Sequence, residues 1–187
     1  MANKLYEALE SRILLLDGGF GTMVQQYGFT EEDYRGERFR DWNVLLKGCN
    51  DLLAVTRPGA VREIHVKYLQ AGADIIETDS FNANAVSLAD YRLEECAYEI
   101  SKAAAGIARS AADEFTARIA QAMAATRYGD PIARPDVEMG PLINQKGLDS
   151  VQAKVRQAIA YGAQLVTGGQ AADLGAGFHF QPTVLAG

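Results

Sequence analysis

Apolar positions along this chain change their spacing several times, and each change marks an element. Ile13 to Leu16 form a short apolar run closed by Asp17, Gly18, Gly19, Phe20, Gly21 and Thr22. That order predicts a buried strand opening into a loop that exposes its backbone and can cradle a small polar ligand. Ahead of it, MANKLYEALESR alternates charged and apolar residues as an amphipathic helix does, without the long apolar core of a secretory signal. The segment from Gly28 to Asp51 carries charge and aromatics with no sustained period, which predicts a long ordered excursion rather than a connector. Asn50 and Asp51 read as turn residues.

Helical spacing returns at Pro58, well placed for a first turn, and runs to about Gln70 with Val61, Ile64, Val66, Tyr68 and Leu69 as the apolar side chains. Gly72 then ends the helix, and Ala73 to Glu77 predict a second strand closing in Thr78, Asp79 and Ser80. Strand, helix and strand in this order form a βαβ pattern. Parallel strands place their carboxyl ends on one rim, so Asp17 to Thr22 and Glu77 to Asn82 are expected to face one pocket.

From about Ala85 the pattern is helical again, with Leu93, Cys96, Ile100, Ala104, Ile107, Ala111, Phe115, Ile119 and Met123 three or four residues apart. Gly106 is a weak point in that run, and Thr126 to Pro131 end it. Beyond lie a helix from Leu148 to Tyr161, a strand from Ala163 to Thr167, the pair Gly168 and Gly169, and a strand from Phe178 to Leu185. The glycine pair lacks the strand, GxGxxG and helix context of a dinucleotide site, so it reads as a turn.

Composition narrows the function classes. The chain has 187 residues, 48% hydrophobic and 22% charged, a net charge of −6 and two histidines. With a pI near 5.0 and no concentrated Lys or Arg run, neither nucleic acid nor an anionic membrane is an expected partner. No apolar stretch approaches the roughly 20 residues that span a bilayer, and a cytoplasmic location is expected. Cys49 and Cys96 give neither a disulfide framework nor metal-ligand spacing, and read as buried or inert thiols. His65 and His179 read as surface or packing residues without a triad.

The ordered motifs LLLDGGFGT, YRGERFRDW, KGCNDLL, AGADIIETDSFNAN and LADY resemble the N-terminus of the cobalamin-dependent methionine synthase family, within its homocysteine-binding barrel. The resemblance covers about residues 1–118. It implies that Asp17, Gly18 and Gly19 lie at the homocysteine end of a (βα)8 barrel and that Thr78, Asp79 and Ser80 belong to the next rim loop. Where that family more usually carries Asn and Thr, this chain has Asp79 and Ser80. The family's zinc, held on three cysteines from later barrel strands, activates the homocysteine thiol. Cys49 and Cys96 do not occupy those contexts, and about two of eight βα units are present.

Residues 113–187 resemble an internal piece of the aldehyde dehydrogenase family, through YGDP, MGPLI, the helix from Leu148, the strand before Gly168 and FQPTVL. The sequence DEF at Asp113 to Phe115 suits both families, so a crossover within one helix is inferred. By the same resemblance, the dehydrogenase nucleophile, its general base and its cofactor-contacting motif lie outside this piece. The expected architecture is α/β: an incomplete (βα) barrel-like fragment joined through a helix to a small α/β segment. The expected function is that of a hybrid without a complete active site, with no catalytic residue assigned and no zinc, cobalamin or NAD(P) bound. At most a homocysteine rim of Asp17, Gly18, Gly19, Thr78, Asp79 and Ser80 survives. Three further readings stay open: homocysteine binding or methyl transfer with a second chain completing the barrel, a fragment related to NAD(P)-dependent aldehyde dehydrogenase, and a non-catalytic module that self-associates through unpaired strand edges.

Overall fold

Residues 8–10 and 12–186 are described in this computed structural model. They form a mixed, helix-rich α/β arrangement with short strands and no closed barrel. Two compact units divide the chain, residues 1–115 and 116–187. Residues 8–10 are helical, and the rest of the expected N-terminal helix, apart from Arg12, lies outside the described residues.

In the first unit the two expected strands do meet in parallel, through a single bridge between Leu16 and Ile75 rather than a ladder. Asp74 N–H and Ile75 N–H donate to Leu15 O at 2.8 and 3.1 Å, and Asp17 N–H donates to Ile75 O at 2.9 Å. Arg12 reinforces the start of the pair with a two-pronged ion pair to Asp74, both contacts at 2.8 Å. That guanidinium, followed by Leu15 N–H, holds the Asp74 carboxyl down at about 2. The run Ile13 to Leu16 is not buried as expected, because Ile13, Leu15 and Leu16 are 84%, 55% and 54% exposed. Parallel strands are ordinarily covered on both faces; among the described residues no third strand or helix layer covers these.

The connecting helix, Pro58–Gln70, follows its sequence signals closely. Pro58 occupies its first turn, and Val61, Ile64 and His65 are its buried positions at i, i+3 and i+4. Gly72 adopts φ +99°, letting Gly72 N–H and Ala73 N–H bond back to Leu69 O and Tyr68 O, and the chain turns into the second strand. The core of this unit is built from Leu46, Leu52, Leu53, Ile64, Leu88 and Ile100, all essentially inaccessible. His65 lies among them at 0% exposure, beside the Phe20 ring at 5.4 Å, with no partner for either ring nitrogen among the described residues. Burial lowers its pKa, so it packs as a neutral ring.

The polar excursion is ordered by two charged residues on the short helix Glu31–Arg35. Thr30 caps this helix: its hydroxyl accepts from Asp33 N–H, and the Asp33 carboxylate accepts from Thr30 N–H at 2.8 Å. Glu31 accepts from Leu46 N–H at 2.9 Å, from Lys47 N–H at 2.7 Å and from Arg35 Nε at 2.7 Å. Arg35 in turn donates to the carbonyls of Trp42, Val44 and Arg40 at 2.6, 3.0 and 3.1 Å. One carboxylate and one guanidinium thus satisfy backbone groups that no sheet or helix would satisfy.

The helical pattern after Ala85 is interrupted, contrary to its even spacing. A turn of helix at Ala85–Leu88 gives way to 3₁₀ turns, and Arg92 takes the left-handed conformation at φ +56° before Leu93 enters the core. The long helix Ala97–Ala125 then runs unbroken through the boundary between units and stops before Thr126. Ile100, Ala104, Ala108 and Ala111 are its buried stripe. Gly106 sits on the wet side, and a Cβ there would meet nothing within 4 Å. Gly106→Ala is therefore expected to raise stability by about 0.5–1 kcal/mol through helix propensity and a stiffer unfolded chain, read as a shift in urea midpoint.

In the second unit the helix Gln145–Ala160 is capped by Asn144, whose side chain accepts from Gly147 N–H at 2.9 Å. The strand Gln164–Thr167 pairs antiparallel with Val184–Ala186, and Ala171–Ala172 pairs with His179–Phe180. The single strand expected over Phe178 to Leu185 is thus two, because Pro182 cannot donate to a ladder and the chain changes partner around it. Gly168 and Gly169 form a tight crossing as expected of a turn: a Cβ at Gly168 would stand 2.2 Å from Pro182 O. His179 is buried, the packing alternative of its reading, with its Nε2 3.0 Å from Ala176 O.

Candidate functional site

The parallel bridge sends both following loops to the same end of the strand pair. Asp17 closes the first strand, 9% exposed, and its Oδ1 accepts from Glu77 N–H at 3.0 Å across the bridge. That bond ties the two loops together at their roots. Burial raises the Asp17 pKa, and the bond from Glu77 N–H works against this by favouring the charged form. Gly18 and Gly19 follow, the latter at φ +40° where an added Cβ would crowd the Tyr68 hydroxyl at 3.3 Å. The chain then enters the short helix Phe20–Gln25.

A cleft of about 390 Å³ lies between the loops, lined by Asp17, Gly18, Gly19, Thr78, Asp79 and Ser80, with Phe20, Glu77 and Phe81 completing it. The six residues expected on the rim therefore share one wall system. Thr78 and Ser80 join their hydroxyls in a 2.6 Å hydrogen bond, and Ser80 N–H donates to Thr78 O at 2.8 Å, which stiffens the second loop. Phe81 stands at the mouth, 92% exposed. Such a cleft offers a carboxylate, two hydroxyls and free glycine backbone, the groups that recognise the polar end of a small molecule.

Asp79 differs from its neighbours on the loop. It is 6% exposed, and its Oδ2 has no hydrogen-bond partner among the described residues. Burial, and after it the charge of Asp51, pushes its pKa up to about 8. Asp51, read from the sequence as a turn residue, does lie in the 3₁₀ turn Asn50–Leu52, but sequence reasoning missed its burial. It is 5% exposed and its Oδ2 accepts from Asn82 N–H at 2.6 Å, which fixes the end of the second loop. The available signal was its position directly before the apolar run Leu52 to Val55, which draws it into the core.

The two cysteines do not match a thiolate metal centre. Cys49 is buried and its thiol is pushed up to about 11, chiefly by burial, and burial also raises Cys96. A zinc-binding sulfur must be a thiolate, and a third cysteine does not exist in the sequence. Among the described residues no three His, Cys, Asp or Glu side chains come together in a way that could hold a metal ion. None of their helices is long and apolar enough to cross a membrane.

Two loops are held at the carboxyl ends of paired parallel strands by a buried aspartate, which is a rim of the βα type. The chain belongs to the homocysteine S-methyltransferase family, whose profile matches residues 14–168. That match starts at the first strand, takes in both rim loops, and continues past Arg118. The chain is also similar to lactaldehyde dehydrogenase from Escherichia coli, at 42% identity over 39% of this chain, with a TM-score of 0.37. A second lactaldehyde dehydrogenase structure gives the same identity, coverage and TM-score. This chain spans 15% of the length of those dehydrogenases.

Proposed function

We propose that this chain is a hybrid of two enzyme fragments, retaining one edge of a homocysteine site and lacking a complete catalytic centre of either kind. The observation that carries this reading is the hydrogen bond from Glu77 N–H to Asp17, which holds the two rim loops around one polar cleft. The lack of a catalytic centre is supported by two cysteines where the resemblance asks for three, one of them held firmly as a thiol. Binding of the amino-acid end of homocysteine needs only the cleft; activating its sulfur needs a metal-bound thiolate. The cleft residues support the first requirement, and the cysteine count speaks against the second.

A second reading has its own support. Ile13, Leu15 and Leu16 are exposed beside the parallel bridge, where a barrel would cover them. A further chain supplying the missing barrel strands would bury them and complete the rim.

Calorimetric titration of the full chain with L-homocysteine is expected to give weak, saturable binding that Asp17→Asn abolishes. Methyl transfer with zinc present, and NAD(P)-dependent aldehyde oxidation, are expected at background. Heat of dilution alone in the titration overturns the rim assignment, while turnover in either assay overturns the absence of a catalytic centre.

A further inference from the structure

Adjoining the rim cleft is a second one of about 410 Å³, and Asp79, Phe20 and Phe81 line both. Its remaining wall includes Cys49, Asn50, Asp51, Asn82, Asp90 and Tyr91. Asp51 and Asp79 are both more than nine-tenths buried. Asp79 Oδ2 has no hydrogen-bond donor, neither carboxylate has an ion-pair partner among the described residues, and no Lys or Arg lines the cleft. A buried polar atom without a partner costs about 1–3 kcal/mol, more when it carries charge. Fixed charge here is of one sign, with Asp90 adding to it at the exposed edge.

We propose that this second cleft binds a primary alkylammonium group, its nitrogen donating to the carboxylates of Asp79 and Asp51 and its alkyl chain lying against Phe20, Phe81 and Tyr91. An ammonium has three donors and no acceptor, which suits a wall of carboxylate and amide oxygens. Aromatic faces add attraction for a cation. A metal ion is disfavoured by the absence, among the described residues, of a third ligating side chain in reach. The ligand class is therefore an alkylamine, recognised through its ammonium group.

Occupancy is linked to protons. Asp79 is faced by Asp51, Cys49 and Tyr34, with Tyr91 and Asp90 on the opposite wall. With its pKa pushed up to about 8, Asp79 holds a proton at neutral pH, and an entering ammonium displaces it to solvent. An alkylammonium resembles Lys, with a pKa of about 10.4, and stays charged throughout. Affinity is then expected to rise about tenfold per pH unit between pH 6 and 8 and to level above.

The experiment is calorimetric titration of the full chain with n-butylammonium chloride, at several pH values and in two buffers of different ionisation heat. Expected are saturable binding, release of close to one proton at pH 7, and at least a tenfold loss of affinity in Asp79→Asn with the far-UV spectrum retained. Proton release in the unsubstituted chain tests the idea independently of how any variant folds. Saturation failing in the tens of millimolar at pH 8.5, equal affinity in a folded Asp79→Asn, or equal competition by sodium or magnesium ions would each overturn it.

Discussion

Asp79→Asn is expected to stabilise the protein, and more so as pH rises from 5 to 8. Burial and the Asp51 charge hold the folded-state pKa at about 8, whereas an unfolded Asp titrates near about 3.9. Between those values the folded state binds the extra proton, so its stability falls with rising pH and levels out above about 8. Stability from this group is fully present below the unfolded pKa and lost on passing through the folded one. An asparagine keeps the shape, never ionises, and offers a donor toward Asp51. At pH 7 the gain is on the order of 4 kcal/mol, from about three units of ionisation that the wild-type side chain forgoes at 1.36 kcal/mol each. Urea unfolding at pH 5, 7 and 9 checks it: parallel profiles for wild type and variant would refute a titrating Asp79.

Glu31→Ala is expected to act in the opposite direction and as strongly. Three donors converge on this carboxylate, Leu46 N–H, Lys47 N–H and Arg35 Nε. Burial works to raise its pKa, and the bonds from Leu46, Lys47 and Arg35 together outweigh it and hold the group below its ordinary range. Truncation leaves those donors without an acceptor and releases Arg35 from the geometry in which it gathers the carbonyls of Trp42 and Val44. A loss of about 2–4 kcal/mol follows from hydrogen bonds to a charged group. Hydrogen exchange should show the loss concentrated in residues 36–49; uniform loss across the first unit would count against this local role.

The positions of these two residues show what a sequence can carry. The parallel meeting of Leu16 and Ile75 was legible, because an apolar run, a proline-started helix, Gly72 and a second apolar run leave a βαβ turn as the economical solution. Convergence of Asp17 with Thr78, Asp79 and Ser80 followed from that topology alone. Burial of Ile13 to Leu16 was not legible correctly, since an apolar run states a preference and the covering layer must come from elsewhere. The burial of Asp51 was missed because its partner, Asn82, lies 31 residues away and no local pattern links them. The split at Pro182 had a signal in the residue itself, whereas the left-handed turn at Arg92 had none: arginine has no special liking for positive φ.

Trp42 offers a different kind of consequence. It is the sole tryptophan in the chain, half-buried against Phe39 in an edge-to-face pair at 5.4 Å, and its Nε1 donates to Tyr91 O at 2.9 Å. Emission excited at the red edge of the indole band therefore reports on residues 1–115 alone, while the second unit, holding Tyr128 and Tyr161, is silent there. Comparing that emission with far-UV dichroism, weighted by helices of both units, separates their melting optically within one intact polypeptide. Coincident curves would mean that the two fragments melt as one cooperative body, and staggered curves that each melts by itself.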